Sequence, residues 1–433
     1  MKKITNILFW SVISAAFIGP GTVTTAAKSG ASFGYALLWA LVFSTIACMV
    51  LQEASARLSI VSGKNLGDAI RDRFSEGVHG LVIRLLVVSA IVFGCAAYEA
   101  GNILGGVAGA VLGTGFSKVT LTIACGLLAG MLLWFGNTKL VAQILGFVVA
   151  VMGVAFLVTA IMLAPSIPDL LSGAFLPSAP PESGLLIMGL IGTTVVPYNL
   201  FLGSGIAQGH KLGEMRFGLS VAVILGGFIS GCILIVGTSL AGEFSFEALT
   251  QALETTLGGW SRTLFAVGLF AAGFSSAITA PLAAAITAKS FFQGKNPASW
   301  EEKGAGFRGV WLGVLLVGVF FGLSGVQPIA TIILAQALNG LALPIIAVFL
   351  LIVVNDVRLM EKENLNHWVS NSFMSAIVFI TIVLGLSHFI RAMSRAFGFA
   401  ELSQSNLFIL AAVFALILSF PLMKVIRKNR SAS

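Results

Sequence analysis

Twelve long runs of apolar residues, nearly free of internal charge, dominate this chain and leave it little choice of fold. They cover about 5–29, 33–60, 80–112, 118–136, 139–164, 184–208, 217–241, 261–290, 307–324, 328–353, 368–390 and 404–425. A helix needs roughly 20 predominantly apolar residues to cross the hydrocarbon core of a bilayer, so each run is read as one transmembrane helix. The runs are continuous and do not alternate, which excludes an outer-membrane β-barrel. Only 10% of the residues are charged, against about 25% in a soluble domain, and an ordinary water-soluble enzyme is excluded with it. The 49 glycines suit helices that approach closely in lipid.

An even number of spans puts both termini on one side of the membrane. With that side inside, 20 of the 25 Lys and Arg residues fall on it, and only Lys28, Lys118, Arg262, Arg391 and Arg395 fall outside. The positive-inside rule therefore assigns both termini to the cytoplasm. The net charge of +8 is a topology signal and not a nucleic-acid patch. No cleavable signal peptide is expected, because the first run continues straight into a second span. Cys48, Cys95, Cys125 and Cys232 lie inside apolar runs, too scattered for a disulfide framework or a zinc site. The soluble links are short, and those at about 291–306 and 354–367 are charged. One transmembrane domain over 1–433 is expected, acting as a monomer in the lipid bilayer.

Two spans are interrupted. The first reads Phe17-Ile18-Gly19-Pro20-Gly21-Thr22-Val23-Thr24-Thr25, and the sixth reads Gly192-Thr193-Thr194-Val195-Val196-Pro197-Tyr198-Asn199-Leu200. A mid-span proline lacks a backbone donor, and flanking glycine or polar residues let the helix unwind. Either proline alone is compatible with a kinked packing helix. Irregular backbone at membrane depth survives only where it is buried or lines a cavity. Breaks in spans one and six occupy matching positions in two five-span halves, the sequence mark of an inverted-repeat transporter with a midplane site. The halves are 1–164 and 184–353, with two peripheral helices at 368–425.

The motifs then become specific. Gly19-Pro20-Gly21-Thr22, Phe33-Gly34-Tyr35-Ala36-Leu37-Leu38-Trp39, Leu51-Gln52, Ser55-Ala56-Arg57-Leu58 and Gly63-Lys64-Asn65-Leu66 resemble the first two helices of the NRAMP family of divalent-metal transporters. Pro197-Tyr198-Asn199-Leu200-Phe201-Leu202 resembles that family's second broken helix, Ala272-Gly273-Phe274-Ser275-Ser276 its eighth helix, and Ala335-Gln336 with Leu343-Pro344 its tenth. The similarity runs from about residue 8 to residue 390. It implies an all-α LeuT-type fold, a 5+5 inverted repeat with helices 1 and 6 broken, and proton-linked metal import across the bacterial inner membrane.

The same resemblance exposes departures. Where the family has the metal-binding Asp and Asn of Asp-Pro-Gly-Asn, this chain has Gly19 and Thr22. Where the family has Met-Pro-His, it has Val196 and Tyr198, and Gly203 replaces another family histidine. A dehydrated divalent ion needs oxygen, imidazole or thiolate donors, usually with compensating charge. Classical manganese or iron transport is therefore not expected, and no metal site is assigned. The substrate-binding candidates are Gly19, Gly21, Thr22, Val196, Tyr198, Asn199 and Gln336. Thr22 and Asn199 are expected to face one cavity.

For coupling, Tyr98-Glu99-Ala100-Gly101-Asn102 resembles the family's Asp-x-x-Glu relay, with Glu99 kept as a carboxylate and Asn102 neutral. An ionisable residue inside the membrane is a functional candidate by default, although a structural, hydrogen-bonded Glu99 is the plain alternative. Glu53 lies one turn from Arg57, a structural ion pair. Lys28 either faces the cavity, where it repels cations, or snorkels to the outer surface. Ser275 and Ser276 are candidates for a sodium site with carbonyls of the first break, or else helix-packing hydroxyls. His79, His210, His367 and His388 lie near loop ends and are read as interface residues. No nucleotide loop, metal-ligand cluster or nucleophile elbow occurs, so no enzyme activity and no cofactor are expected beyond a coupling ion, proton or sodium. The leading expectation is secondary transport of a small polar organic solute, such as an amino acid. A largely hydrated divalent cation like magnesium is the alternative, and a channel or sensor on the same fold the third.

Overall fold

A computed structural model of the chain describes residues 18–75, 77–136, 138–294, 296–397 and 402–431. Its long helices are α1 (Pro20–Phe33), α2 (Leu38–Ser62), α4 (Gly77–Thr114), α5 (Lys118–Phe135), α6 (Thr138–Met162), the pair α8 (Gly184–Thr194) and α9 (Pro197–Ala207), α10 (Leu212–Gly237), α12 (Trp260–Phe292), α13 (Ala305–Leu323), α14 (Pro328–Val353), α15 (Trp368–Phe397) and α16 (Gln404–Ser431). Shorter helices join them: α3 (Leu66–Arg73), α7 (Ile167–Phe175) and α11 (Phe246–Leu257). No strand occurs among the described residues. Eleven stretches among them are long and apolar enough to span a membrane, with α8 and α9 counting as one. They correspond to the second through twelfth apolar runs. Residues 5–17 of the first run, with Lys2 and Lys3, lie outside the described residues; α1 is its second half.

Both breaks occur where glycine and proline call for them. Gly19 is extended (φ −94°, ψ 177°) and α1 starts at Pro20. Val196 is likewise extended (φ −78°, ψ 118°), and α9 starts at Pro197. Proline suits the first helical position because the N–H it lacks would have no partner there. Two connections between spans hold α7 and α11. Ser245 caps α11 by accepting from the Ala248 N–H at 3.0 Å.

Burial sorts the helices into centre and rim. The most apolar window of Gly184–Ala207 is 89% buried, that of Trp260–Phe292 72% and that of Pro328–Val353 67%. For Lys118–Phe135 the figure is 22% and for Ser405–Ser431 17%. Thus α8, α9, α12 and α14 form the middle, whereas α5 and α16 face lipid. Helices in lipid gain little from the hydrophobic effect and associate through close packing. Here α1 docks on α10, where a side chain on Gly30 would run into the Leu234 carbonyl and one on Gly237 into the Ala27 carbonyl. In the same way Gly192 lets α8 close onto α14 at the Gln336 carbonyl.

The end of the bundle richest in basic residues is tied by a polar network. Arg57 pairs with Glu53 at 3.1 Å, as the spacing of four residues predicts, and also donates to the Asn364 carbonyl at 2.6 Å and to Asn366 Oδ1. Asp356 is fully buried between Arg73 at 2.7 Å and Arg358 at 2.6 Å. Arg430 of α16 donates to Asn355 Oδ1 and to the Asn366 carbonyl, both at 2.8 Å.

Candidate functional site

The two breaks meet in the middle of the bundle. Thr22, on the first turn of α1, lies 2.9 Å from Thr193 on the last turn of α8, hydroxyl to hydroxyl. Tyr98 of α4 lies beside Thr193. The Tyr98 ring meets that of Tyr198 edge to face, with centroids 5.6 Å apart and planes at 83°. All four side chains are buried. This four-residue cluster links α1, α4, α8 and α9 across both breaks.

Gln336 of α14 closes the site from another side. Its amide packs so tightly on Gly21 that any side chain there would collide with it, and Nε2 is 3.8 Å from where a side chain on Gly101 would begin. Gln336 is buried, and its Oε1 has no hydrogen-bond partner among the described residues. A buried acceptor without a donor costs about 1–3 kcal/mol, and such groups in native sites mark a place for water, ion or ligand. Asn199 Nδ2 is buried without a partner among the described residues as well.

Neither break offers a charge. Gly19 and Val196 precede α1 and α9, neither caps the following helix with a side chain, and neither first turn holds an acidic residue. Both helices therefore begin in the middle of the bundle without a side-chain cap and with a positive dipole end. The C-terminal carbonyls of α8 supply the opposite sign. Among the described residues no group of three His, Cys, Asp or Glu side chains is placed to hold a metal ion.

Thr22 meets Thr193. Asn199 lies on the part of α9 that packs on α2 and α3, fixed by Ser55 donating to the Leu200 carbonyl at 2.7 Å and by Ser204 accepting from the Leu66 N–H at 3.0 Å. Ser276 does reach the first break, its Oγ 3.5 Å from where a side chain on Gly19 would begin. Ser275, about 100° around the helix, bonds back to the Ala272 carbonyl at 3.1 Å instead.

Glu99 accepts from Asn102 Nδ2 at 3.3 Å, so the two relay positions do touch. The carboxyl, however, turns away from Gln336. Glu99 packs on Gly318 of α13, whereas Gly101 faces Gln336; two residues put these faces about 160° apart on α4. Glu99 is fully buried and its Oε1 has no partner among the described residues. Lys28 is partly buried. It lies seven residues beyond Gly21, on nearly the same face of α1.

Two site residues escaped sequence reasoning, Thr193 and Tyr98. Each adjoins a flagged motif, Thr193 inside the second break and Tyr98 next to Glu99, but only their mutual contact reveals a role.

A broken-helix bundle with a polar midplane cluster defines a membrane transporter with a LeuT-type fold. The comparisons agree. The family model "Natural resistance-associated macrophage protein-like" matches residues 11–391, and the chain belongs to that Nramp family. Divalent metal cation transporter MntH of Aeromonas hydrophila is 27% identical over 402 residues, covering 88% of this chain and 93% of that protein. MntH of Klebsiella pneumoniae is 26% identical over 395 residues, covering 87% and 91%. Among solved structures, a variant of the Eremococcus coleocola manganese transporter superposes with a TM-score of 0.68 at 20% identity, covering 97% of this chain and 92% of that one. The nucleobase-cation-symport-1 transporter Mhp1 gives 0.60 at 17% identity, covering 98% and 92%. Transport is thus the activity class. The two MntH relatives are named for a divalent metal cation, not for the organic solute expected first from the sequence.

Proposed function

We propose that this protein is a monomeric secondary transporter of a divalent metal cation in the bacterial inner membrane, and that the ion crosses with much of its water shell. Gln336 Oε1 carries the reading: a buried amide oxygen without a partner among the described residues, set against the first break. Thr22 and Thr193 add hydroxyl oxygens nearby, and the α8 carbonyls add the negative end of a helix. Neutral oxygens suit a hard ion that keeps several waters, as magnesium does. They do not suit tight capture of manganese or iron, for which softer or charged ligands are the usual choice. The divalent cation in the relatives' names supports the same class of substrate.

A specific observation favours an organic zwitterion as second reading. The uncapped starts of α1 and α9, with Asn199 Nδ2, offer donors to a carboxylate. Titration of the purified chain with magnesium, manganese and an amino-acid panel, followed by uptake into proteoliposomes, separates the two. Saturable magnesium uptake, with no saturable manganese binding below millimolar concentration, is the expected result. An amino acid taken up in place of magnesium overturns the cation reading. Coupling is proposed to run through Glu99 and Asn102, whose hydrogen bond makes them one unit, or through sodium held by Ser276 and the first break.

A further inference from the structure

A cleft of about 620 Å³ opens at the basic end of the bundle, between α2, α10, the link before α15 and the first turns of α15. It is separate from the midplane site and shares no residue with it. Its walls are of two kinds. Met49, Val50, Leu219 and Phe373 form an apolar side, and Phe373 is 56% exposed. Glu53, Arg57, Arg216, Glu363 and His367 form a polar rim.

The rim carries both signs of charge and is anchored at one edge. Arg57 is held by Glu53, the Asn364 carbonyl and Asn366. Among the described residues Arg216 is held by Glu53 alone, at 2.9 Å, and its side chain is 54% exposed. Glu363 has no ion pair among the described residues and is exposed. One cation and one carboxylate thus stand free enough to take a ligand that bears both charges. The positive-inside bias assigns this end to the cytoplasmic leaflet, where apolar wall and charged rim match acyl chain and headgroup.

We infer that this cleft binds one phospholipid with a zwitterionic amine headgroup, a phosphatidylethanolamine. The phosphate meets the Arg216 guanidinium, which suits phosphate oxygens through its fork of donors. A primary ammonium donates hydrogen bonds to Glu363, which a trimethylated choline does not. A purely anionic lipid brings no partner for Glu363 and places its charge near both rim carboxylates. The acyl chain lies against Phe373, Leu219 and Met49.

The test uses the full chain in nanodiscs of phosphatidylethanolamine, phosphatidylcholine and phosphatidylglycerol in equal parts. Native mass spectrometry counts the lipids that stay bound on release. One retained phosphatidylethanolamine per chain is expected. The double variant Arg216→Ala, Glu363→Gln changes only exposed side chains, leaves the Arg57–Glu53 pair in place, and is expected to lower that retention about tenfold. Preferential retention of phosphatidylglycerol or phosphatidylcholine overturns the proposal, as does retention that the double variant leaves unchanged, or no retained lipid at all. Arg262→Ala, at the opposite end of the bundle, checks that removing one arginine elsewhere leaves the count as it was.

Discussion

Gly19 stands where the Nramp pattern has its metal-binding aspartate, and its surroundings still have room for one. A side chain there first meets Ser276 Oγ at 3.5 Å, an ordinary contact, and its backbone conformation is one any residue adopts. Gly19→Asp should therefore fold and put a carboxylate at the start of α1, where it also complements the helix dipole. Manganese affinity measured by calorimetry should rise about tenfold or more. No gain in a well-folded variant would mean that the residues around the break have diverged along with the ligands. Glu99 makes a different residue-scale case. With its carboxyl turned to α13 and about 160° from the Gln336 side of α4, it acts on the site only through Asn102 or the helix itself. Glu99→Gln should abolish acid-stimulated uptake in proteoliposomes while leaving substrate binding by calorimetry within about twofold of the parent. Uptake that keeps its response to acid assigns Glu99 a structural role.

Helices in this bundle meet where one of them has no side chain, and that makes the contacts sensitive to single substitutions. The junction of α1 with α10 depends on Gly30 and Gly237, each facing a carbonyl of the other helix. Backbone cannot move aside as the tip of a long side chain does. Gly30→Val should cost about 1–3 kcal/mol through overpacking, read as a lower unfolding temperature in detergent. It should also weaken substrate binding, because α1 carries Thr22. Gly205 in α9 has open space where a side chain would go, so Gly205→Ala should melt at or slightly above the parent temperature. Equal effects of the two substitutions would contradict close packing as the source of α1's position.

Across the whole molecule, the polar network at the basic end joins α3, the link before α15 and the end of α16. Asp356 is its buried acid. Burial alone pushes its carboxyl up, but hydrogen bonds from Arg358 and the charges of Arg358 and Arg73 outweigh that and hold it below the usual carboxylate range. A group whose pKa is lowered by folding stabilises the protein above its unfolded value, about 3.9 for aspartate. That contribution is complete at neutral pH and fades as pH falls through the folded value. Melting temperature should thus be flat from pH 8 to about 5 at this group and decline below about 4. Asp356→Asn should lose about 3–5 kcal/mol at pH 7, because it leaves Arg73 without its carboxylate. The difference between variant and parent should shrink in acid. A constant difference across that range would show that the network does not depend on the Asp356 charge.

The sequence alone settled the membrane fold, the positions of both breaks and the family, because each rests on local chemistry. Apolar length decides what crosses a bilayer, and glycine with proline decides where a helix stops, whatever surrounds them. Gln336 was singled out through the resemblance, as a polar position in the tenth span. Tertiary structure decided which polar groups meet. Nothing local distinguishes Thr193 from Thr194 as the partner of Thr22, or Ser276 from Ser275 as the neighbour of Gly19. The direction of Glu99 toward α13 and the joining of Tyr98 to Tyr198 follow from how helices are rotated and shifted against each other. That registry is fixed by close contacts such as Gly30 on Leu234 and Gly192 on Gln336, which bring together residues far apart in the chain.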